Sequence, residues 1–362
     1  MPTHNADNER IKRRYFTYLK EAKRRGEPSV DAAAKALHRF EEDTRFRSFK
    51  TFNPEQAVAF KRHLAEQTSL RTGKPLSKAT VHSTLAVLKA FFVWLAGQPG
   101  YRSRLTFSDS EYFNLSERDS RIAQARLEKQ VPSLEQVQHV IRAMPAIDDL
   151  QRRDRAVVAF ILLTGARDGA VASLKLKHLD LVEGCVVQDA REVATKFGKT
   201  FTTWFFPVGD DVRRVVEEWA AYLREKLLWG PDDPLFPATR MEVGPDRLLQ
   251  PAGLERRHWA SADPIRQIFK RAFAAAGLPY YPPHRLRDTL ARLGEVRCTN
   301  PEAFKAWSQN LGHSGVLTTF TSYGEVAGTR QAEIIRGLTV RQELPSDALA
   351  DIAAVLAKYQ RN

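Results

Sequence analysis

The interpretation of this chain starts from Leu311-Gly312-His313-Ser314 and from Thr318-Thr319-Phe320-Thr321-Ser322-Tyr323 soon after it. A histidine and a later tyrosine indicate little by themselves, but three basic motifs precede them: Thr164-Gly165-Ala166-Arg167, Thr195-Lys196-Phe197-Gly198-Lys199 and His284-Arg285-Leu286-Arg287. Together these segments supply guanidinium, ammonium, imidazole and phenol groups, and the residues are not spaced as metal ligands. Because phosphoryl transfer depends mainly on positioning and charge neutralisation, such a set can attack a phosphodiester without a metal ion.

The bulk composition favours two domains and a polyanionic partner. A chain of 362 residues is long for a single core. Its hydrophobic content of 43% and charged content of 27% are those of globular protein rather than of a disordered chain. The net charge is +13 and the pI is near 9.8, which is typical of proteins that bind nucleic acid. Many other basic proteins share this property, so the charge alone decides little.

Cysteine usage and hydropathy predict a cytoplasmic protein. Cys185 and Cys298 form no CxxC pair, so neither a disulfide framework nor a zinc site is expected. The N-terminal residues run into charged sequence without the apolar segment of a secretory signal. The apolar run Ala156–Leu163 is far too short to span a bilayer.

Residues 1–118 are predicted to form a small helical domain. Asn53-Pro54-Glu55-Gln56 is a strong helix start, with a cap residue, a proline at the first position and a glutamine at the third. Ser77 opens a second strong helix with a buried stripe of Val81, Leu85, Leu88, Phe92 and Leu95. Basic residues in the Ile11–Arg25 and Arg71–Lys78 stretches have few acids between them. They fit a solvated face and a phosphate-contacting face equally well.

A polar connector and a second, larger domain are expected to follow. The boundaries predicted are a linker at 119–130, a catalytic domain at 131–342 and a helical tail at 343–362. Ser133-Leu134-Glu135-Gln136 has the pattern of a capping box at the start of the second domain. The fold class predicted is mainly α with a small β-hairpin or sheet (α+β).

Three features organise the predicted second domain. Ala156–Leu163 is apolar on every side, which indicates a central buried helix that ends at Gly165. Leu179–Gln188 and Thr200–Val208 alternate as the strands of a β-hairpin, with Phe197-Gly198 as its turn. The segment Trp229–Ala262 is rich in proline and glycine and is predicted to be a loop.

Arg167, His284 and Arg287 each have a structural and a functional interpretation. Arg167 follows a helix-ending glycine and could form a salt bridge, to Asp168 or Asp180, or hold a phosphate with its planar fork. His284 and Arg287 stand three apart after Pro282-Pro283, so both project from one face at a helix start that also favours anions. That pair could equally be incidental charge on a surface helix.

The lysines and the last two residues are also ambiguous when taken singly. Lys196 and Lys199 flank a predicted hairpin tip, where lysines usually serve solubility. His313 could be a capping residue and Tyr323 a packing residue. Gly198-Lys199-Thr200 imitates the end of a P-loop, but Val193 stands where that motif requires its first glycine, so an ATPase is rejected.

The order Arg, Lys, His-x-x-Arg, His, Tyr resembles the tyrosine recombinase (phage integrase) family, and the resemblance covers nearly the whole chain. It implies a helical core-binding domain and a catalytic domain that form a C-shaped clamp on DNA. It assigns the phosphate clamp to Arg167 and Arg287, the general acid to Lys196, the flanking histidines to His284 and His313, and the nucleophile to Tyr323. Lys199 remains an alternative to Lys196.

The resemblance implies a site-specific recombinase or integrase of a mobile element, which cleaves and rejoins DNA through a 3′-phosphotyrosyl link without metal, ATP or another cofactor. The implied partner is double-stranded DNA with specific recombination sites, bound by a homotetramer whose C-terminal tails pack in cis or in trans. A topoisomerase-like or non-catalytic DNA-binding protein of the same fold is the alternative. The family usually has glutamate where this chain has Ala170, and often histidine where it has Asp288.

Overall fold

The computed structural model describes residues 4–69, 73–125 and 130–313 of the chain. They belong to two compact units, Met1–Leu127 and Glu128–Asn362. Both units are built mainly of helices, and the strands lie in the second, so the prediction of a mainly helical fold with a small sheet is confirmed. Tyr323 and the tail at 343–362 lie outside the described residues.

In its described residues, the first unit contains five α-helices, and the first four of them pack around an aromatic core. They are α1 (Ala6–Thr17), α2 (Glu27–Asp43), α3 (Pro54–Glu66), α4 (Lys78–Ala96) and α5 (Glu117–Gln124). Phe40 on α2 meets Phe92 on α4 edge to face, with ring centroids 5.5 Å apart, and meets Phe113 in the same way at 5.6 Å. Such pairs add directional contacts to the burial of apolar area, and they fix how the helices cross.

The helix starts read from the sequence are confirmed in this unit. Asn53 and Gln56 form the expected capping box of α3, and Ser77 caps α4 by accepting a hydrogen bond from the backbone of Thr80. In the described part of the chain, α4 is the helix whose length and composition would suffice to cross a membrane. Leu85, Leu88 and the other stripe residues of α4 are buried in the unit's core, which explains why this helix is so apolar.

The segment predicted as a linker begins with ordered helix. Ser116 caps α5 through the backbone N–H of Asp119, and the Asp119 carboxylate lies 3.0 Å from the Lys78 ammonium at the start of α4. The absence of a wide apolar stripe made this segment look like an exposed connector. Its stability comes from a cap and an ion pair with α4, which a hydrophobic pattern does not reveal.

The second unit surrounds a central helix. Its helices are α6 (Leu134–Ala143), α7 (Asp149–Thr164), α8 (Asp168–Val171), α9 (Asp210–Ala221), α10 (Asp263–Ala275), α11 (His284–Arg297) and α12 (Pro301–Asn310). The run Ala156–Leu163 on α7 is buried on every side, as predicted. Gly165 ends α7 in the left-handed conformation, with φ of 61°.

A three-stranded antiparallel sheet lies in the same unit. It has the order β1 (Leu179–Asp180), β2 (Cys185–Gln188) and β3 (Phe201–Trp204). The hairpin of β2 and β3 is therefore present, and a short 3₁₀ turn at Lys196–Gly198 lies at the predicted turn. The prediction of Leu179–Gln188 as one strand is wrong, because β1 and β2 divide it. Residues 189–200 connect β2 to β3, and Val193 anchors this connection in the core of the unit.

The prediction that Trp229–Ala262 is a loop is also wrong. This segment contains a second antiparallel sheet of β4 (Ala238–Val243) and β5 (Leu249–Glu255). Pro251 and Gly253 lie within β5, and the pairing shifts between Thr239 and Met241. Prolines and glycines usually mark loops, but they are tolerated in a two-stranded edge ribbon with a bulge.

Candidate active site

Helix α11 brings His284 and Arg287 to one place. Pro282 and Pro283 precede it, and Pro283 already has helical backbone angles at the N-cap. Leu286, Leu290 and Ala291 are buried and hold the helix against the core of the second unit. Arg287 is also buried, with 3% of its surface exposed, whereas His284 one turn earlier remains exposed.

The Arg287 guanidinium joins three separate segments of the chain. Nη1 donates to the carbonyl of Gly165, and Nη2 donates to the carbonyl of Leu311. The same Nη2 lies 3.3 Å from Nε2 of His313. The ends of α7 and α12 are thereby fixed to the start of α11, and His313 is placed beside the guanidinium.

Two glycines allow these segments to approach so closely. A Cβ atom on Gly165 would lie 2.9 Å from a methyl of Leu311 and 3.0 Å from a methyl of Leu290. Gly312 has φ of 69°, and a Cβ there would lie 2.9 Å from the ring of Phe201. Both positions therefore require glycine for backbone conformation and for space. The Thr-Gly and Leu-Gly pairs seen in the sequence have a physical reason.

Arg167 stands at the N-cap of α8, two residues after Gly165, and is half-buried. Among the described residues it forms neither an ion pair nor a hydrogen bond. The salt bridges considered for it are not formed: the Asp168 carboxylate lies 2.9 Å from Arg266, and Asp180 accepts hydrogen bonds from the backbone of Val182 and Glu183. Burial lowers the pKa of the Arg167 guanidinium from its usual value.

The electrostatics show that four of the predicted residues share one space. Desolvation lowers the pKa of His313 to about 4, and the positive charges of Arg287 and Arg167 act in the same direction, as does His284. Partial desolvation also lowers the pKa of the exposed His284, again with contributions from Arg287 and Arg167. The charges of both arginines act on both histidines, so the structure brings Arg167, His284, Arg287 and His313 together.

The sheet whose β2–β3 connection contains Lys196 is attached beside this cluster. The backbone N–H of Trp204 on β3 donates to the Asn310 side chain at 2.7 Å, and the Asn310 amide donates back to the Trp204 carbonyl at 2.9 Å. Asn310 is the last residue of α12 and stands just before the Leu311–His313 turn. Lys196 itself lies exposed at the start of the 3₁₀ turn between β2 and β3.

Sequence reasoning missed the groups that hold the site together. Asn310 and the two carbonyl partners of Arg287 carry no signal in a single sequence, because their role depends on residues far away in the chain. Asp288, noted only as a departure, pairs with Arg285 at 2.5 Å. Its carboxylate partly offsets the arginine charges by acting to raise the pKa of His284. Within the described ranges, no group of three or more His, Cys, Asp and Glu is arranged to hold a metal ion.

Comparison with known families identifies the class of protein. Residues 130–326 match the model of the Phage integrase family, which is more than half of the chain. The chain belongs to the phage integrase family, the tyrosine recombinases, and the resemblance noted in the sequence is confirmed. It is a tyrosine-type site-specific DNA recombinase.

Individual relatives agree with this class. Tyrosine recombinase XerC of Lactobacillus delbrueckii subsp. bulgaricus is 27% identical over 253 residues, which cover 69% of this chain and 73% of the relative. A lambda integrase dimer bound to a COC′ core site has a similar fold, with a TM-score of 0.59, 15% identity and coverage of 87% of this chain and 94% of that one. A lambda integrase tetramer bound to a Holliday junction gives a TM-score of 0.53 at 15% identity, covering 86% and 78%.

Proposed function

We propose that this recombinase cleaves a DNA strand by attack of Tyr323 on a phosphorus atom held between Arg167 and Arg287. The phenol oxygen forms a bond to phosphorus while the bond from phosphorus to the 5′ oxygen breaks. The products are a 3′-phosphotyrosyl link and a free 5′ hydroxyl. The observation that carries this proposal is the meeting of Arg167 with His284, Arg287 and His313, which lie more than a hundred residues further along the chain, in one electrostatic cluster.

The two arginines supply the positive charge that the transition state needs. A guanidinium fork matches two non-bridging phosphate oxygens, and its charge offsets the charge that develops on them. Arg287 is oriented by the carbonyls of Gly165 and Leu311. Arg167 has no partner among the described residues, so its donors are available to the phosphate without first breaking a protein contact.

The histidines supply a proton acceptor and a second phosphate contact. Both pKa values are lowered, so both rings are neutral near pH 7. A neutral, exposed His284 can accept the phenol proton, which a tyrosine with an ordinary pKa near ~10 does not release unaided at that pH. A guanidinium only donates, so Nε2 of His313 accepts from Arg287 and the ring proton lies on Nδ1.

Lys196 completes the reaction as the general acid. Its ammonium gives a proton to the departing 5′ oxygen, and the neutral amine recovers a proton when the strand is rejoined. Lys196 is favoured because Thr195-Lys196-Phe197-Gly198-Lys199 resembles the hairpin motif of the family, and Lys199 is the alternative. Attack of a second strand's 5′ hydroxyl on the phosphotyrosyl link then exchanges strands. The bond energy is conserved in the link, so the cycle needs no nucleotide cofactor.

The partner proposed is duplex DNA with specific recombination sites. The first unit (predicted as 1–118) is the proposed core-binding domain, and together with the catalytic domain at 131–342 it would close around the duplex as a clamp. A homotetramer on paired sites is proposed because a lambda integrase of similar fold forms a tetramer on a Holliday junction. The cytoplasmic location remains a prediction from composition.

The test of the nucleophile uses Tyr323→Phe. The DNA sequence is one that the wild-type protein selects from a randomised pool. The duplex carries a nick, so the cleaved strand can dissociate and the covalent intermediate accumulates. Wild-type protein should form an adduct that survives denaturing electrophoresis. Tyr323→Phe should bind the same duplex with similar affinity and form no adduct, because the variant lacks only the phenol oxygen.

The matched control is Tyr112→Phe, which removes the hydroxyl of an exposed tyrosine in the first unit. This variant should form the adduct at the wild-type level. An adduct on Tyr323→Phe, mapped to another residue, would refute the nucleophile assignment. Absence of any adduct with the wild-type protein on the duplex it selects would favour the non-catalytic reading.

A further inference from the structure

Glu192 lies in the connection of residues 189–200, here called the lysine loop because it carries Lys196. Its carboxylate contacts three cationic or imidazole groups of the segment that follows α8. Oε2 lies 3.0 Å from the Lys175 ammonium, 2.8 Å from the Lys177 ammonium and 3.4 Å from Nε2 of His178. Hydrogen bonds from the two lysines lower the pKa of Glu192, so this carboxylate is ionised at neutral pH.

His178 is oriented to donate to this carboxylate. The backbone N–H of Lys175 donates to Nδ1 of His178 at 3.0 Å, so in the neutral ring the proton lies on Nε2, which faces Glu192. The ring is buried, and burial lowers its pKa. Two flexible lysines alone would leave the carboxylate loosely held, whereas a fixed imidazole gives it one preferred position.

The backbone on the C-terminal side of Glu192 is held as well. The N–H of Ala194 donates to the Ser173 hydroxyl at 2.8 Å, and that hydroxyl donates to the Ala170 carbonyl of α8 at 3.0 Å. Val193 is 3% exposed and belongs to the core of the second unit. The three residues Glu192, Val193 and Ala194 are thus attached to the same segment that begins with Arg167.

The lysines follow directly on these contacts. Thr195 makes a backbone hydrogen bond to Val193 at 2.7 Å, and Lys196, Gly198 and Lys199 that follow are exposed. Gly198 has φ of 62° and open space around its α-carbon. The contacts of Glu192 through Ala194 therefore hold the chain immediately before Lys196.

We propose that Glu192 is a positioning residue for Lys196: by binding Lys175, Lys177 and His178 it holds the lysine loop against the segment that begins at Arg167. The proton donor Lys196 and the phosphate-binding Arg167 then lie on two segments that are held together. Glu192 itself transfers no proton. The inference rests on the proposed function, in which Lys196 protonates the 5′ leaving oxygen.

The experiment compares two leaving groups on the duplex selected by the wild-type protein, after the cleaved position has been mapped from the covalent adduct. One substrate has the natural 5′ oxygen and the other has sulfur at that position. A thiol has a pKa near ~8.5, so sulfur departs without protonation, and any defect that acts only through the general acid disappears. The variants are Lys196→Ala, Lys199→Ala and Glu192→Gln.

On the oxygen substrate, Lys196→Ala should slow adduct formation by about 10²–10⁴-fold, as expected for loss of a general acid. Glu192→Gln should slow it by between about 10- and 100-fold, since a catalytic group misplaced by ~1 Å can cost about 10²-fold. On the sulfur substrate both variants should return to within about twofold of the wild-type rate, because proton transfer no longer limits departure. A merely structural role of Glu192 would produce the same defect on both substrates.

The matched control is Asp232→Asn. Asp232 also contacts Lys175 and Lys177, at 3.3 and 2.9 Å, but it lies outside the lysine loop. It should cleave both substrates at wild-type rates. Thermal unfolding of Glu192→Gln checks that the variant is folded.

The outcomes separate the two proposals. Rescue of Lys196→Ala without rescue of Glu192→Gln, or a Glu192→Gln variant as fast as wild type on oxygen, would overturn the role of Glu192 while leaving that of Lys196 intact. Rescue of Lys199→Ala alone, or of neither lysine variant, would overturn the assignment of Lys196 and with it this inference.

Discussion

Arg167 and Arg287 would act on one phosphate, yet the protein holds them in opposite ways. Arg287 is 3% exposed, and its guanidinium donates to two backbone carbonyls and contacts His313. Arg167 is half-buried and makes no hydrogen bond or ion pair within the described ranges. Arg287 is thus held by contacts within the fold, whereas the lack of such contacts at Arg167 fits its proposed role in binding the phosphate.

The difference follows from where each residue lies. Arg287 projects from the first turn of a helix whose neighbouring side chains are buried, so its donors must be satisfied inside the protein. The ends of α7 and α12 supply carbonyls that have no helical partner of their own. Arg167 stands at the N-cap of α8, and the carboxylate beside it, Asp168, is occupied by Arg266. From this comparison we expect that replacing Arg287 lowers both activity and stability, whereas replacing Arg167 lowers activity with little change in stability.

The largest effect is expected from Arg287→Ala, which should impair both properties. Cleavage should fall by at least about 10²–10³-fold, as for loss of a preorganised donor to the transition state. The free energy of unfolding should fall by about 2–6 kcal/mol, because two buried carbonyls are left without a donor and each costs about 1–3 kcal/mol. Denaturant unfolding and the rate of adduct formation measure the two effects.

Arg287→Lys sharpens this test, since one ammonium keeps the charge but cannot match the planar fork that reaches both carbonyls. It should recover part of the stability and little of the activity. If Arg287→Ala unfolds at the wild-type denaturant concentration, the carbonyl contacts do not stabilise the fold and the comparison is wrong.

Arg167→Ala should produce a comparable loss of cleavage, about 10²–10³-fold, with little change in stability. The free energy of unfolding should stay within about 0.5 kcal/mol of wild type, because no described protein contact is lost. Asp168→Asn is the control: its exposed pair with Arg266 is worth ~0–1 kcal/mol, and the variant should cleave normally. A large loss of stability in Arg167→Ala would mean that this arginine has a structural partner after all.

The smallest effect is expected in the pH dependence of stability. The folded-state pKa of His313 is about 4, below its ordinary value of 6.5, so the unfolded chain binds a proton more readily as the pH falls. The contribution of this residue to stability is complete above pH 6.5 and is lost progressively as the pH falls toward 4. The slope of unfolding free energy against pH should therefore be shallower in His313→Gln than in wild type.

The same pH profile of stability, measured on Arg167→Ala, also tests the comparison of the two arginines. Removing one of the two positive charges that act on His313 should raise its folded-state pKa, which moves the acid loss of stability to higher pH and makes it smaller. Identical pH profiles for wild type and His313→Gln would contradict the placement of His313 among these charges.

Short-range features were predictable from the sequence. The capping boxes at Asn53 and Ser133, the buried helix Ala156–Leu163 and the start of α11 after two prolines all depend on residues within one or two turns of each other. Such features leave a local pattern. The candidate site was predictable only in part: spacing placed His284 and Arg287 on one helical face, while the grouping with Arg167 and His313 came from a family resemblance.

Errors arose where distant residues decide the local structure. The strands β4 and β5 were taken for loop because proline and glycine outweighed a weak alternation. The anchoring of the lysine loop was not predicted, because the burial of Val193 and the contacts of Glu192 depend on residues of the segment after α8. No window of neighbouring sequence contains that information.

The sequence by itself determined which segments become helices, where they start and end, and which side chains are available for chemistry, since caps and apolar periodicity act between near neighbours. Only the tertiary structure decided that Arg287 donates to carbonyls at Gly165 and Leu311, that Asp168 pairs with Arg266, and that Glu192 contacts Lys175, Lys177 and His178. These contacts join residues between 14 and 122 positions apart, and their partners exist only once the helices have packed.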